Sequence, residues 1–235
     1  MNYADRARGS SSAANLAVKA RAQFILRTYG HLLGAILAFA AFEVFLFTSG
    51  LAFPIARAIS GLGMGWVLVL GGFVVLGALF RGLAHSARSM AMQYAGLGAY
   101  VVLQGIIFVP LLMVAESVAP GAIKSAGAVT LLGVTGLTAV AFTTRKDFSF
   151  LGSIVRWGMV LGLVTIVAAT IFGFTLGTLF SVAMVGLAGA AVLYDTSNVL
   201  HHFDEDSYVA ASLELFASIA MMFWYVLRLF ISSRD

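Results

Sequence analysis

The fold this sequence predicts is all-α: a polytopic membrane protein built as a seven-transmembrane-helix bundle with the last helix central. Three observations predict it. The first is a charge deficit, since 235 residues carry only 14 Lys and Arg and 10 Asp and Glu, or 10% charged against 61% hydrophobic. An ordinary soluble domain carries roughly 25% charged residues. A soluble fold of this size needs more polar surface than these residues supply, whereas lipid-facing helices need none. The second is segmentation into apolar runs of spanning length, and the third is a polar stripe along the last run.

A span requires about 20 apolar residues at 1.5 Å each. Seven segments qualify: Thr28 to Ser49, Gly63 to Phe80, Met92 to Val114, Ser125 to Thr143, Ser153 to Phe174, Leu179 to Leu200 and Val209 to Ile231. They form one domain over residues 28–235, with connections too short to hide an extramembrane domain. The linker with Gly173, Thr175 and Gly177 is brief enough to force the fifth and sixth helices into a tight antiparallel hairpin.

Residues 1–27 are small and polar, with Ser10, Ser11 and Ser12 and the cations Arg6, Arg8, Lys19, Arg21 and Arg27. This stretch reads as a flexible cytoplasmic tail that turns helical near the membrane. The first apolar run begins late and exceeds the usual core of a cleavable signal, so it is expected to stay in the mature protein.

Orientation follows from Lys and Arg at alternate ends of the spans. The tail has five, the loop after the second span has Arg81 and Arg88, and the loop after the fourth has Arg145 and Lys146, with Arg156 just beyond. The opposite side has Arg57, Lys124, Arg228 and Arg234. The N-terminus is therefore expected in the cytoplasm and, after seven spans, the C-terminus outside it. Against this, the loop with Asp204, Glu205 and Asp206 falls on the cytoplasmic side, although acidic residues weigh little in the rule.

Gly30 with Gly34, and Gly158 with Gly162, have the four-residue spacing that lets helix backbones approach. Such faces serve packing within one chain or homodimerisation. The formal net charge of +4 is not gathered on one folded face, so no nucleic-acid partner is expected. No cysteine is present, which removes disulfides and thiolate metal sites from consideration.

Ionisable groups inside a membrane are the informative ones, because each costs about 2.5 to 3.5 kcal/mol at a helix centre. Four stand out: Glu43, Asp195, Glu214 and Arg228. Asp195 lies near the end of the sixth span, followed on the same face by Asn198 and His202. The seventh span carries Glu214, Ser218, Met221, Tyr225, Arg228 and Ser232 at alternating intervals of four and three, one continuous stripe. A stripe this polar cannot face lipid, which puts the last helix at the centre.

Counting rise along the helices, Asp195 is roughly 7 Å inward from Leu200 and Glu214 roughly 10 Å inward from Ser207. Two close carboxylates in low dielectric cannot both ionise cheaply and would share a proton, making a pH-sensitive latch or a cation site. The alternative is that each pairs separately, with a cation or with hydroxyls such as those of Thr196 and Tyr225. Arg81 is a counter-charge within reach of Asp195.

No resident metal or cofactor is expected. Asp204, Glu205 and Asp206 are consecutive and lack the spacing of a calcium loop, and His201 and His202 have no third ligand nearby. Catalysis is not expected either. Tyr194-Asp195 resembles the Tyr-Asp half of an intramembrane aspartyl-protease pair, but its partner would be Gly-x-Gly-Asp on a later helix, and here Gly61-Leu62-Gly63 is followed by Met64 and lies earlier in the chain. No serine sits in a Gly-x-Ser-x-Gly elbow.

Two blocks support a family resemblance. One is Leu193-Tyr194-Asp195-Thr196-Ser197-Asn198, followed by the acidic loop, Tyr208-Val209-Ala210-Ala211-Ser212-Leu213-Glu214-Leu215-Phe216 and a final Ser233-Arg234-Asp235. The other is Thr143-Thr144-Arg145-Lys146-Asp147-Phe148-Ser149-Phe150-Leu151-Gly152. The sequence resembles the Bax-inhibitor (TMBIM) family, and within it the bacterial YccA-like branch.

The resemblance implies a bacterial inner-membrane protein and two activities. Members of the YccA-like branch are substrates and modulators of the membrane AAA protease FtsH, which works with HflK and HflC and grips a flexible cytoplasmic tail; here the engaged end would be Met1, Asn2 and Tyr3. Others in the family are pH-sensitive calcium leak channels gated by two aspartates, with calcium as the transported ion. The first aspartate carries over onto Asp195. Ser218 stands where the second would be and Met221 where a polar residue is expected, a departure shared with the YccA-like branch. Glu214, one turn away, is a candidate replacement.

Overall fold

The computed structural model describes residues 3–61, 65–86 and 89–233. Met1, Asn2, Arg88, Arg234 and Asp235 lie outside them. The described residues form eight helices and no strand: α1 (Tyr3–Thr48), α2 (Ala52–Ser60), α3 (Gly65–Ala84), α4 (Met90–Val118), α5 (Ala122–Thr144), α6 (Leu151–Phe172), α7 (Thr178–His201) and α8 (Tyr208–Ser232). Six of these are long and apolar enough to cross a membrane. The 20 residues of α3, whose one charge is Arg81, reach about 30 Å, the thickness of the hydrocarbon core.

Two elements depart from the expected pattern. The first helix does not begin near Thr28 but runs unbroken from Tyr3 to Thr48. The segment expected as a plain loop after Ser49 contains α2, a nine-residue helix that buries Ala52 and Ile59. Pro54 falls in its first turn, where a missing N–H breaks no helical hydrogen bond. Ala52 packs with Leu46 and Val109, closing one end of the bundle.

The last helix is the central post. Sixteen of its 25 residues are buried, and it packs against α1, α3, α4, α5 and α7. By contrast α6 buries only Gly152, Gly162 and Ala169 and shows Trp157, Leu161 and Val164 outward. Apolar side chains on that face need no partner in lipid. Around α8 the core is aromatic: Phe108 is fully buried, with Trp224 edge-on at 4.9 Å, Phe39 edge-on at 5.2 Å and Phe223 stacked at 5.6 Å.

The glycine pairs behave differently. A Cβ at Gly158 would lie 2.5 Å from the Leu187 side chain and one at Gly162 3.0 Å from Met184, so this pair packs α6 on α7 within the chain. That contact, with the 173–177 linker, makes the expected α6–α7 hairpin. Gly30 and Gly34 have nothing within 4 Å of a Cβ, so their face is open.

Candidate functional site

The carboxylates of α7 and α8 each take their own partners. Asp195 and Glu214 each start six residues from the adjoining helix end, yet Asp195 accepts a 2.5 Å hydrogen bond from the Ser218 hydroxyl, one turn deeper than Glu214. The cause is the backward lean of helical side chains, each toward its own N-terminus. In an antiparallel pair the leans are opposed. Asp195 tilts inward onto Ser218, and Glu214 tilts outward toward the end of α3.

There Glu214 meets two bases one helical turn apart. His85 Nε2 lies 3.0 Å from Oε1, and Arg81 Nε lies 3.6 Å from Oε2. The Arg81 guanidinium also reaches the Tyr100 hydroxyl at 3.4 Å and covers its ring. Arg81 thus pairs directly with Glu214. Asp195 and Ser218 are each 8% exposed, and Thr196 and Ser197 are fully buried. The result is a two-layer polar site, an acid–hydroxyl pair beneath an Arg81–Glu214–His85 triad. His85 had no place in the sequence reading; its spacing of four from Arg81 was the available signal.

The remaining stripe residues are elsewhere. Tyr225 is buried edge-on to Phe180 at 5.9 Å, and Arg228 donates to the Leu176 carbonyl at 3.3 Å, at the α6–α7 linker. Arg228 lies ten residues beyond Ser218, about 15 Å along the helix, so the stripe serves two ends of the bundle. Asn198 is half-buried and gives its backbone carbonyl to the N–H groups of His202 and Phe203, closing α7. His202 is exposed and does not join the interior; it lies 3.1 Å from Asp147 in the α5–α6 loop.

That loop joins the two sequence blocks. The Phe148 N–H donates to Ser197 Oγ at 2.8 Å, and Ser197 Oγ lies 3.4 Å from Asp147 Oδ1. Gly152 gives the Tyr194 ring its place, since a Cβ there would lie 2.6 Å from the ring and displace it. The loop leaves α5 through Arg145, whose φ of 51° is the left-handed region that side chains disfavour; docking on Ser197 holds that turn. The Ser149 backbone N–H holds the Asp147 carboxyl below its ordinary range, with His202 adding to the effect.

A carboxyl depressed by folding contributes stability above its unfolded value, about 3.9, that is lost as pH falls through the folded value. Acidification from pH 5 through the folded value should therefore loosen this loop, read as a lower protection factor of the Phe148 amide once the intrinsic exchange rate at each pH is divided out. Asp147→Asn should flatten that pH dependence.

On the second face of this end, Arg21 donates to the carbonyls of Phe203 at 2.5 Å and Leu200 at 3.3 Å, tying α1 to the close of α7. Among the described residues no group of three His, Asp or Glu could hold a metal ion. Asp204, Glu205 and Asp206 are exposed.

These features define a polytopic helical membrane protein with a buried polar site around its last helix. A family model described as Inhibitor of apoptosis-promoting Bax1 matches residues 21–235, and the chain belongs to this Bax-inhibitor family. It is 32% identical over 166 residues to an uncharacterized protein of Pseudomonas aeruginosa, covering 69% of this chain and 72% of that one. It is 33% identical over 100 residues to the Modulator of FtsH protease YccA of Escherichia coli, covering 42% and 45%. Bax inhibitor 1 of Schizosaccharomyces pombe is 28% identical over 178 residues, covering 70% and 61%.

Proposed function

We propose that the protein is a non-enzymatic inner-membrane modulator, and itself a substrate, of the AAA protease FtsH, acting with the HflK and HflC scaffold. The observation that carries this reading is the similarity to the FtsH modulator of Escherichia coli. The fold supplies a rationale. A protease that grips the N-terminal tail pulls first on α1, which packs against α4 and α8, and separating packed helices in lipid would leave the polar groups of the central post without partners.

A cytoplasmic N-terminus and a periplasmic C-terminus belong to the same reading. Arg21, Arg81 and the loop after Arg145 all gather at the α7–α8 end of the bundle, in keeping with a basic cytoplasmic face. Removing residues 1–20 should lengthen the half-life of the protein in cells that contain FtsH and abolish co-purification in mild detergent. Unchanged degradation would overturn the proposal. Calcium release from liposomes that is lost with Asp195→Asn, without recovery of the protease, would replace it by the leak-channel reading.

A further inference from the structure

A groove of about 700 Å³ runs along the outer face between α1 and α4. Its floor is open because it is made of glycines: no atom lies within 4 Å of a Cβ placed at Gly30, Gly34 or Gly98. On α1 it extends from Leu26 to Phe42, about 24 Å of helix, longer than the ~15 Å of one hydrocarbon leaflet. Phe42 forms its blind end, since its ring occupies the space that a Cβ at Gly105 would take.

The other end is polar and built from two helices. The His31 Nδ1–H donates to the Arg27 carbonyl at 2.7 Å, so in the neutral ring Nε2 accepts from the Tyr94 hydroxyl at 2.9 Å. This fixes the ring between α1 and α4. The exposed Arg27 guanidinium lies over the Tyr208 ring at 5.5 Å and has no carboxylate partner among the described residues. The groove thus joins an exposed cation without a carboxylate partner among the described residues to an apolar trough of acyl-chain shape.

We infer that this groove holds one phospholipid with an anionic headgroup, its phosphate at Arg27 and one acyl chain along Gly30, Gly34 and Gly98. A second copy of the chain is the competing occupant of a small-residue face. A twofold axis along the membrane normal would bring both Arg27 side chains to the same depth at one interface, with no acid in the groove lining to offset either charge. A lipid phosphate supplies the missing charge.

The test is native mass spectrometry of the full-length protein released from micelles containing equal phosphatidylglycerol and phosphatidylcholine with matched chains. Retention of phosphatidylglycerol should exceed that of phosphatidylcholine by about fivefold, the effect of one basic residue beside an anionic lipid. Arg27→Gln should erase the preference and leave chain retention. Gly34→Leu combined with Gly98→Leu should lower retention of both lipids, and Arg27→Gln decides the matter if that variant does not fold. Equal retention of the two lipids by the wild type would overturn the assignment. Dimers lost in the glycine variant with lipid retention unchanged would give the groove to a second copy.

Discussion

Gly96→Ala should separate α3 from α4 and lower the melting temperature in detergent by about 10 °C. A Cβ at Gly96 would lie 2.6 Å from both the Ala84 nitrogen and the Phe80 carbonyl oxygen. These are backbone atoms, so no rotamer change relieves the overlap and the helices themselves must part. The expected cost is at the upper end of the roughly 1 to 3 kcal/mol for overpacking, and each kcal/mol moves the melting temperature of a chain this long by about 2 to 4 °C. The same separation carries Arg81 and His85 away from Glu214. Gly98→Ala is the control: its Cβ meets nothing within 4 Å, and alanine is favoured over glycine in a helix by about 0.5 to 1 kcal/mol. Equal losses in the two variants would contradict the close approach of α3 and α4.

Replacing Glu214 with Leu should cost about 2 kcal/mol, and adding Arg81→Met should restore most of it. Removing one partner of a fully buried ion pair costs about 3 to 5 kcal/mol, because the other charge is stranded, while replacing both by apolar residues is often neutral. The Arg81 side chain here is 40% exposed and that of Glu214 23%, which reduces the penalty through screening. His85 would keep its imidazole near the vacated position in either variant. The measurement is a denaturation series in mixed micelles for the wild type, both single variants and the double. Additive losses in the double variant would show that Arg81 and Glu214 do not act as a pair.

Lipid made the architecture readable. Where the solvent is hydrocarbon, span length and the position of charges fix each helix and its burial, so the centrality of α8 followed from Glu214, Ser218 and Tyr225 lying on one stripe. The same rule could not see α2, because nine amphipathic residues fall far below a spanning length and Pro54 reads as a breaker until it is known to occupy a first turn. Within the site, counting rise gave the depth of Cα atoms and placed Asp195 level with Glu214. The lean of the side chains decided their partners, and it acts oppositely in α7 and α8. Asp147 and Ser197 both lay in conspicuous blocks, yet 50 residues separate them. Only the docking of the α5–α6 loop on α7 brings them together.

The unbroken α1 has a mechanical consequence. Its 46 residues make a rod of about 69 Å, more than twice the thickness of the hydrocarbon core, so a long arm stands clear of the bilayer. Tension applied near Tyr3 travels along this helix to Arg21. That side chain grips the carbonyls of Leu200 and Phe203, and the load is therefore delivered to the junction of α7 and α8. The first parts to yield under traction would be the cap of α7 and the loop docked beside it, while the aromatic core at the far end of the post stays assembled.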